Sequence, residues 1–311
     1  MIRRYGVVEI GTRGVRLLVA DASPDGIEQF VFSTGGLSDL GRYADENGNL
    51  SKRSIERVSR IVARYIGIAE AKGAEQVFGI ATEGVRAAPN QVELLQTLAT
   101  LIDVKPLSRA QEAAYSFTAC ADAFYHKVPA GASLLAVDQG GGSTELTVGT
   151  IESRGEIVLR DFVTLDLGTV AISKMVVEAD TLAEAFKTVR QQVRDELNRH
   201  PTLQSPSKVT PALTVGLGSA ITQFMWEVMK NGPERVTSLR DVHGQPIQTS
   251  TIAEQLDRIE RRLGHYTRDD FGADLYPGSE LAVWLSGFLT YYEILRFFDV
   301  PEIYVSRNGT R

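Results

Sequence analysis

Asp138-Gln139-Gly140-Gly141-Gly142-Ser143-Thr144-Glu145 is a glycine-rich run bracketed by two acids. An apolar run, "SLLAV", leads into it and a second, "LTVGTI", leads out, so the pattern is strand, glycine-rich turn, strand. Backbone N–H groups in such a turn can converge on one anion, because glycine takes positive φ and carries no side chain to block a phosphate. Taken alone, such a run is more often an ordinary hairpin or bulge.

The same pattern recurs near the N-terminus. Residues 5–21 hold a β-branched run, the turn Gly11-Thr12-Arg13-Gly14 and a second apolar run, and each hairpin carries an acid ahead of its glycines, Glu9 in one and Asp138 in the other. A third turn, Gly216-Leu217-Gly218-Ser219, follows a buried strand and opens onto a helix N-terminus. The repetition predicts an internal duplication: two α/β lobes facing each other across a central cleft. Two carboxylates and two amide cradles around a chain of phosphates then predict a Mg²⁺–phosphate site. The break at Pro129-Ala130-Gly131 places the division between lobes 1–127 and 128–311.

The rest of the chain alternates accordingly. Ser51 offers an N-cap, and Ile55, Val58, Val62, Tyr65 and Ala69 recur at helical spacing as far as Lys72-Gly73. Residues between the first hairpin and Ser51 read as a polar loop. A strand at "QVFGIAT", a helix over 92–102, a strand over 104–107 and a helix over 108–124 complete the first lobe. The second adds a strand over 156–165, helices over 182–199, 251–263 and 279–298, and a closing strand over 303–305.

Bulk properties exclude several classes. With 311 residues, 43% of them hydrophobic, the chain can fill two substantial cores. A formal charge of -6, with Lys and Arg dispersed, leaves no broad basic face for nucleic acid. Cys120 is the single cysteine and lies in an apolar helical stretch, so a buried structural thiol is expected rather than a disulfide or zinc site. His126, His200, His243 and His265 are scattered without metal-ligand spacing. Apolar runs fall short of ~20 residues, and "MIRRYGVVEIG" enters a strand directly, so a cytoplasmic protein with no membrane partner is expected.

"VEIGTRGVRLLV", "ATEGVRAAPN", "SRAQEAAYS", "VDQGGGSTELTVG", "LDLGTVAISK", "TVGLGSAIT" and "YVSRNGTR" resemble, in order and spacing, the exopolyphosphatase and guanosine-pentaphosphate phosphatase family, Ppx/GppA. The resemblance implies an actin-like, ribonuclease H-like fold of the kind found in sugar kinases and Hsp70. It implies hydrolysis of terminal phosphoryl groups of inorganic polyphosphate or of guanosine penta- or tetraphosphate with Mg²⁺, and a homodimer of the short, two-domain type. Carried over residue by residue, Glu112 takes the general-base position, and Asp138 and Glu145 match positions linked to metal binding and water positioning. Arg86 matches the arginine that neutralises phosphate charge. Gly11, Thr12, Arg13, Gly140, Gly141, Gly142, Ser143, Thr144, Gly216, Gly218 and Ser219 form the expected phosphate turns, and Arg16 follows the first.

The chain also departs from the family pattern at its motifs. Glu9 stands for Asp, Thr12-Arg13 for Ser-Asn, Gln139 for an apolar residue, Arg109 for Gly and Gln111 for the first Glu of a pair, while the third turn ends in Gly218-Ser219 rather than two glycines. Two readings follow: an active hydrolase in which Arg13 and Arg109 add polyanion contacts, or a catalytically weakened polyphosphate- or nucleotide-binding regulator. Retention of Glu112, Asp138 and Glu145 favours the first. A sugar or acetate kinase is disfavoured, since no phosphoryl-acceptor signature is evident.

Overall fold

The computed structural model describes residues 1–38, 40, 44–200, 210–230, 239–271, 279–307 and 309. The first hairpin forms as its alternation requires. Strands β1 (Arg3–Ile10) and β2 (Gly14–Ser23) pair antiparallel with Glu9 opposite Arg16, and β3 (Gly26–Leu37) continues the meander. Helix α1 (Lys52–Ala71) begins at Ser51, whose Oγ accepts from the Ser54 amide at 3.2 Å. Its buried stripe of Ile55, Val58, Val62, Tyr65 and Ala69 packs with Val8, Ile10, Val15 and Leu17 of the sheet. Strand β4 (Gln76–Ala81), helices α2 (Glu83–Arg86) and α3 (Gln91–Leu98) and strand β5 (Val104–Pro106) finish a sheet of order β3-β2-β1-β4-β5.

After α4 (Arg109–Phe124) the plan repeats. Strands β6 (Ala132–Gln139), β7 (Thr144–Ser153) and β8 (Glu156–Leu165) form the second meander, followed by α5 (Thr169–Glu178), α6 (Leu182–Asn198), β9 (Leu213–Leu217) and α7 (Ser219–Lys230). Strand β10 (Pro246–Gln248), helices α8 (Thr249–Leu263), α9 (Arg268–Phe271) and α10 (Glu280–Phe297), and strand β11 (Glu302–Val305) follow. From its far edge, the second sheet runs β8-β7-β6-β9-β11-β10. Its first five strands repeat the order and directions of the first sheet: an antiparallel meander, then two parallel strands. This is the duplicated α/β, actin-like arrangement expected from the sequence.

Two elements differ from expectation for a physical reason. Strand β3 lies where the sequence reads as a polar loop; it is an edge strand, largely exposed, so burial imposes no clean alternation on it. Helix α5 starts from Gly168 without a side-chain cap, so no start signal marks it.

The packing of α4 also bears on the lobe boundary. Phe117, Cys120, Ala121 and Phe124 share one apolar cluster with Leu134, Ala136, Ile151, Leu213 and Val215 of the second sheet. Cys120 is fully buried there. On this packing we propose that the division between lobes falls near Leu107, ahead of α4, rather than after it.

Candidate active site

Both hairpin turns close the same way: the Gly11 amide donates to the Gly14 carbonyl at 2.9 Å, and the Gly140 amide to the Ser143 carbonyl at 2.9 Å. Neither turn uses a left-handed glycine. What excludes side chains is proximity, since a Cβ on Gly142 would sit 2.8 Å from Thr12 Oγ1 and 3.0 Å from Glu83 Cγ, so the turns of the two lobes meet. Carbonyls of Gly140, Gly141 and Gly142 accept from the amides of Thr169, Val170 and Gly168 at 3.0, 2.9 and 3.1 Å, which ties the second turn to the start of α5. The third turn does need glycine for its backbone. Gly218 has φ of 104°, and a Cβ there would strike the Gln139 carbonyl oxygen. The hydroxyl of Tyr291 on α10 donates to the Val137 carbonyl at 3.0 Å and also bonds the Leu217 carbonyl, holding the ends of β6 and β9 side by side.

The turns enclose a cleft of about 690 Å³. Its charge is unusual for a polyanion site. Glu9, Glu83, Glu112, Asp138 and Glu145 lie on its wall, with Glu227 of α7 and Glu280 of α10, against Arg13, Arg16 and Arg307. Glu112 stands in the first turn of α4, where Ser108 and Gln111 form a reciprocal capping box. It is only 7% exposed, and its Oε2 lies 3.0 Å from Arg86 Nη1. Burial above all raises its pKa to about 7; the Arg86 hydrogen bond opposes the rise, and the charges of Asp138 and Glu9 add to it. Glu145, buried and accepting from Ser143 Oγ at 2.7 Å, is likewise pushed well above the carboxylate range by burial and by Glu112 and Asp138. Ser116 donates its hydroxyl to Asp138.

A group of carboxylates that repel each other's ionisation is a place for a proton or a cation. Among the described residues no three Asp, Glu, His or Cys side chains converge as a cage for a metal ion. Asp138 and Glu145 stand opposite each other across β6 and β7 and would be the pair to hold a largely hydrated Mg²⁺, which needs only one or two protein carboxylates besides phosphate oxygens.

The sequence profile of the Ppx/GppA phosphatase family matches residues 18–309. The chain belongs to that family. Exopolyphosphatase 1 of Mycobacterium tuberculosis is 29% identical over 158 residues, covering 50% of this chain and 45% of the relative, so the match spans less than half of that protein. Exopolyphosphatase 2 of the same species is 27% identical over 233 residues, covering 71% of this chain and 69% of the relative. Among solved structures, a Ppx/GppA family member from Aquifex aeolicus superposes with a TM-score of 0.77 at 24% identity, covering 100% of this chain and 95% of the other. An exopolyphosphatase from Cytophaga hutchinsonii gives 0.80 at 18% identity, covering 99% and 95%.

Most residues expected from the Ppx/GppA resemblance are brought together. Gly11, Thr12, Arg13, Gly140, Gly141, Gly142, Ser143, Gly218 and Ser219 line the cleft with Glu112, Asp138 and Glu145, and Arg16 joins them from β2. Gly216, Thr144 and Arg86 are not among the residues lining it. Gly216 is inside β9, where a Cβ would meet Ile303 at 2.8 Å and Tyr291 at 3.1 Å, so close packing explains its glycine. Thr144 is fully buried and donates to the Leu167 carbonyl at 2.7 Å. Arg86 is absorbed by protein partners: Glu112, Glu83 and the Leu107 carbonyl. Arg109, read as a polyanion contact, pairs with Asp166 at 2.6 Å. Sequence reasoning missed Glu83, although its position three residues before Arg86 on a helix is an ion-pair spacing. It also left Arg307 without a role, although that residue stands inside the quoted stretch "YVSRNGTR". The amide of Gln139 is 2% exposed, and its Nε2 and Oε1 have no hydrogen-bond partner among the described residues.

Proposed function

We propose that this chain is a phosphoanhydride hydrolase that releases orthophosphate from the end of inorganic polyphosphate. The observation that carries the reading is Glu112: a carboxyl with a pKa of about 7, buried on the wall of a cleft between two facing glycine turns. That value suits a general base, which works best when its pKa is close to the operating pH. The similarity to the two mycobacterial exopolyphosphatases supports the same assignment.

In the proposed reaction, Glu112 takes a proton from water as its oxygen bonds to the terminal phosphorus, the anhydride P–O bond breaks, and the shortened chain leaves with the electron pair. Backbone groups of the glycine turns, with Ser143, Ser219 and Arg13, hold the phosphates in line. Mg²⁺ held by Asp138 and Glu145 would neutralise charge on the transferring group.

A second reading, guanosine pentaphosphate as substrate, is favoured by the wall that α7 contributes. Thr222, Gln223, Trp226 and Glu227 line the cleft there with Glu280, an aromatic, amide and carboxylate surface better suited to a nucleoside than to a polyanion. The deciding experiment follows orthophosphate release from long-chain polyphosphate, guanosine pentaphosphate and ATP, with Mg²⁺ or with chelator. Mg²⁺-dependent release from polyphosphate at the highest kcat/KM is expected. A preference for the guanosine nucleotide would move the assignment to the second reading, and no release from any substrate would leave a binding protein on an enzyme scaffold.

A further inference from the structure

We propose that Glu83 and Arg109 are positioning residues for Glu112, acting through a chain of alternating charges that runs Asp166, Arg109, Glu83, Arg86, Glu112. The proposal rests on the reading of Glu112 as the general base. Arg109 Nη2 lies 2.6 Å from Asp166 Oδ1 and 3.5 Å from Glu83 Oε1. Glu83 pairs with Arg86 Nη2, and Arg86 Nη1 reaches Glu112 Oε2 at 3.0 Å. Glu83 and Arg86 are three apart on α2, and Arg109 and Glu112 are three apart on α4. Two ion-paired rungs therefore join the helices, with Glu83–Arg86 as the rail on the α2 side.

Exposure along the chain shows which pairs hold most strongly. The side chains go from 69% exposed at Asp166 and 42% at Arg109 to 18% at Glu83, 20% at Arg86 and 9% at Glu112. The outer pair is screened by water, whereas the inner one acts where ionic hydrogen bonds are strongest. Helix α2 is only four residues long and Thr82 supplies no side-chain cap, so the Arg86 side chain is held by these pairs together with the Leu107 carbonyl.

The rungs also cross between lobes. Helix α2 lies between β4 and β5 of the first sheet, whereas α4 packs on the second and Asp166 follows β8. The stem of Glu83 lies against the second glycine turn, since a Cβ on Gly142 would be 3.0 Å from Glu83 Cγ. Separating the lobes would pull Arg86 from Glu112 and Glu83 from Arg109 together, so the base is held only while the turns meet.

The test is steady-state orthophosphate release from long-chain polyphosphate with Mg²⁺ by the full chain and its variants Glu83→Gln, Arg109→Gln, Arg109→Lys and Glu112→Gln. Positioning predicts that Glu83→Gln and Arg109→Gln lower kcat on the order of tenfold or more, leave KM and its salt dependence within about twofold, and that Arg109→Lys recovers most of the loss. A raised KM with unchanged kcat and a flatter salt slope would make them substrate contacts and overturn the proposal. Full activity in Glu112→Gln, or none in the wild type, would instead sink the general-base reading. The chain of charges is then judged by amide hydrogen exchange at Arg86 and Ala87, whose N–H groups bond to Thr82 and Glu83 carbonyls at 3.0 and 2.9 Å. Faster exchange there in Glu83→Gln and Arg109→Gln is expected, and unchanged protection in both contradicts it.

Discussion

Glu112 stands at N4 of α4, and its burial governs both its chemistry and its effect on stability. Its pKa is raised from 4.5 to about 7, so the folded state keeps a proton that the unfolded chain loses. Below 4.5 both states are protonated; between 4.5 and about 7 stability falls as pH rises, and above about 7 the loss is complete. In metal-free protein, Glu112→Gln is therefore expected to exceed wild-type stability by about 2–3 kcal/mol at pH 8, with the gap closing toward acid pH. Urea denaturation at several pH values measures it, and a pH-independent gap contradicts the assignment. Gln139 makes a second case at this scale. Both polar atoms of its amide are buried without a described partner, a loss of roughly 1–3 kcal/mol, so Gln139→Leu should raise the urea midpoint. A lowered midpoint would mean that the amide is satisfied. The resemblance located Glu112, Asp138 and Glu145 because they stand inside contiguous motifs. It did not reveal that Arg86 pairs with Glu83 and Glu112, because those two partners come from two different helices.

At the scale of elements, legibility followed burial. Helix α1 announces itself through Ser51 and an apolar stripe because one face is buried and the other is not. Strand β3 does not, because an exposed edge imposes no pattern on its sequence. In α4 the residue read as a missing charge, Gln111, serves the helix start instead. Its side-chain oxygen accepts from the Ser108 backbone amide at 3.0 Å, while Ser108 Oγ accepts from the Gln111 backbone amide at 3.2 Å. Ser108→Ala should cost about 1 kcal/mol of stability and lower kcat by loosening the turn that carries Glu112. Thermal denaturation alongside initial rates checks both, and an unchanged Tm would show the cap to be unimportant.

For the whole molecule, the duplication was readable from two glycine turns because the same meander produces both. The contact between the lobes was not, since it is made by residues with no pattern in common. Thr12, itself packed on Gly84 of its own lobe, meets Gly141 and Gly142 of the other, whereas Arg154 spans from the β7–β8 turn to Glu28 of β3 at 3.7 Å. Partly exposed pairs near the surface contribute little, so Arg154→Ala should change stability by under about 1 kcal/mol. Gly84→Ala, whose Cβ would lie on the Thr12 backbone, should change it by more, about 1–3 kcal/mol, with lower kcat. The reverse ranking would mean that charge rather than close turn packing holds the cleft. The role of Glu112 as general base in a two-lobed hydrolase is tested most directly by one rate: orthophosphate release from long-chain polyphosphate in Mg²⁺ by wild type and by Glu112→Gln, each shown to be folded. A fall in kcat of about 10²- to 10⁴-fold with KM retained is the predicted result, and equal rates in the two proteins would contradict it.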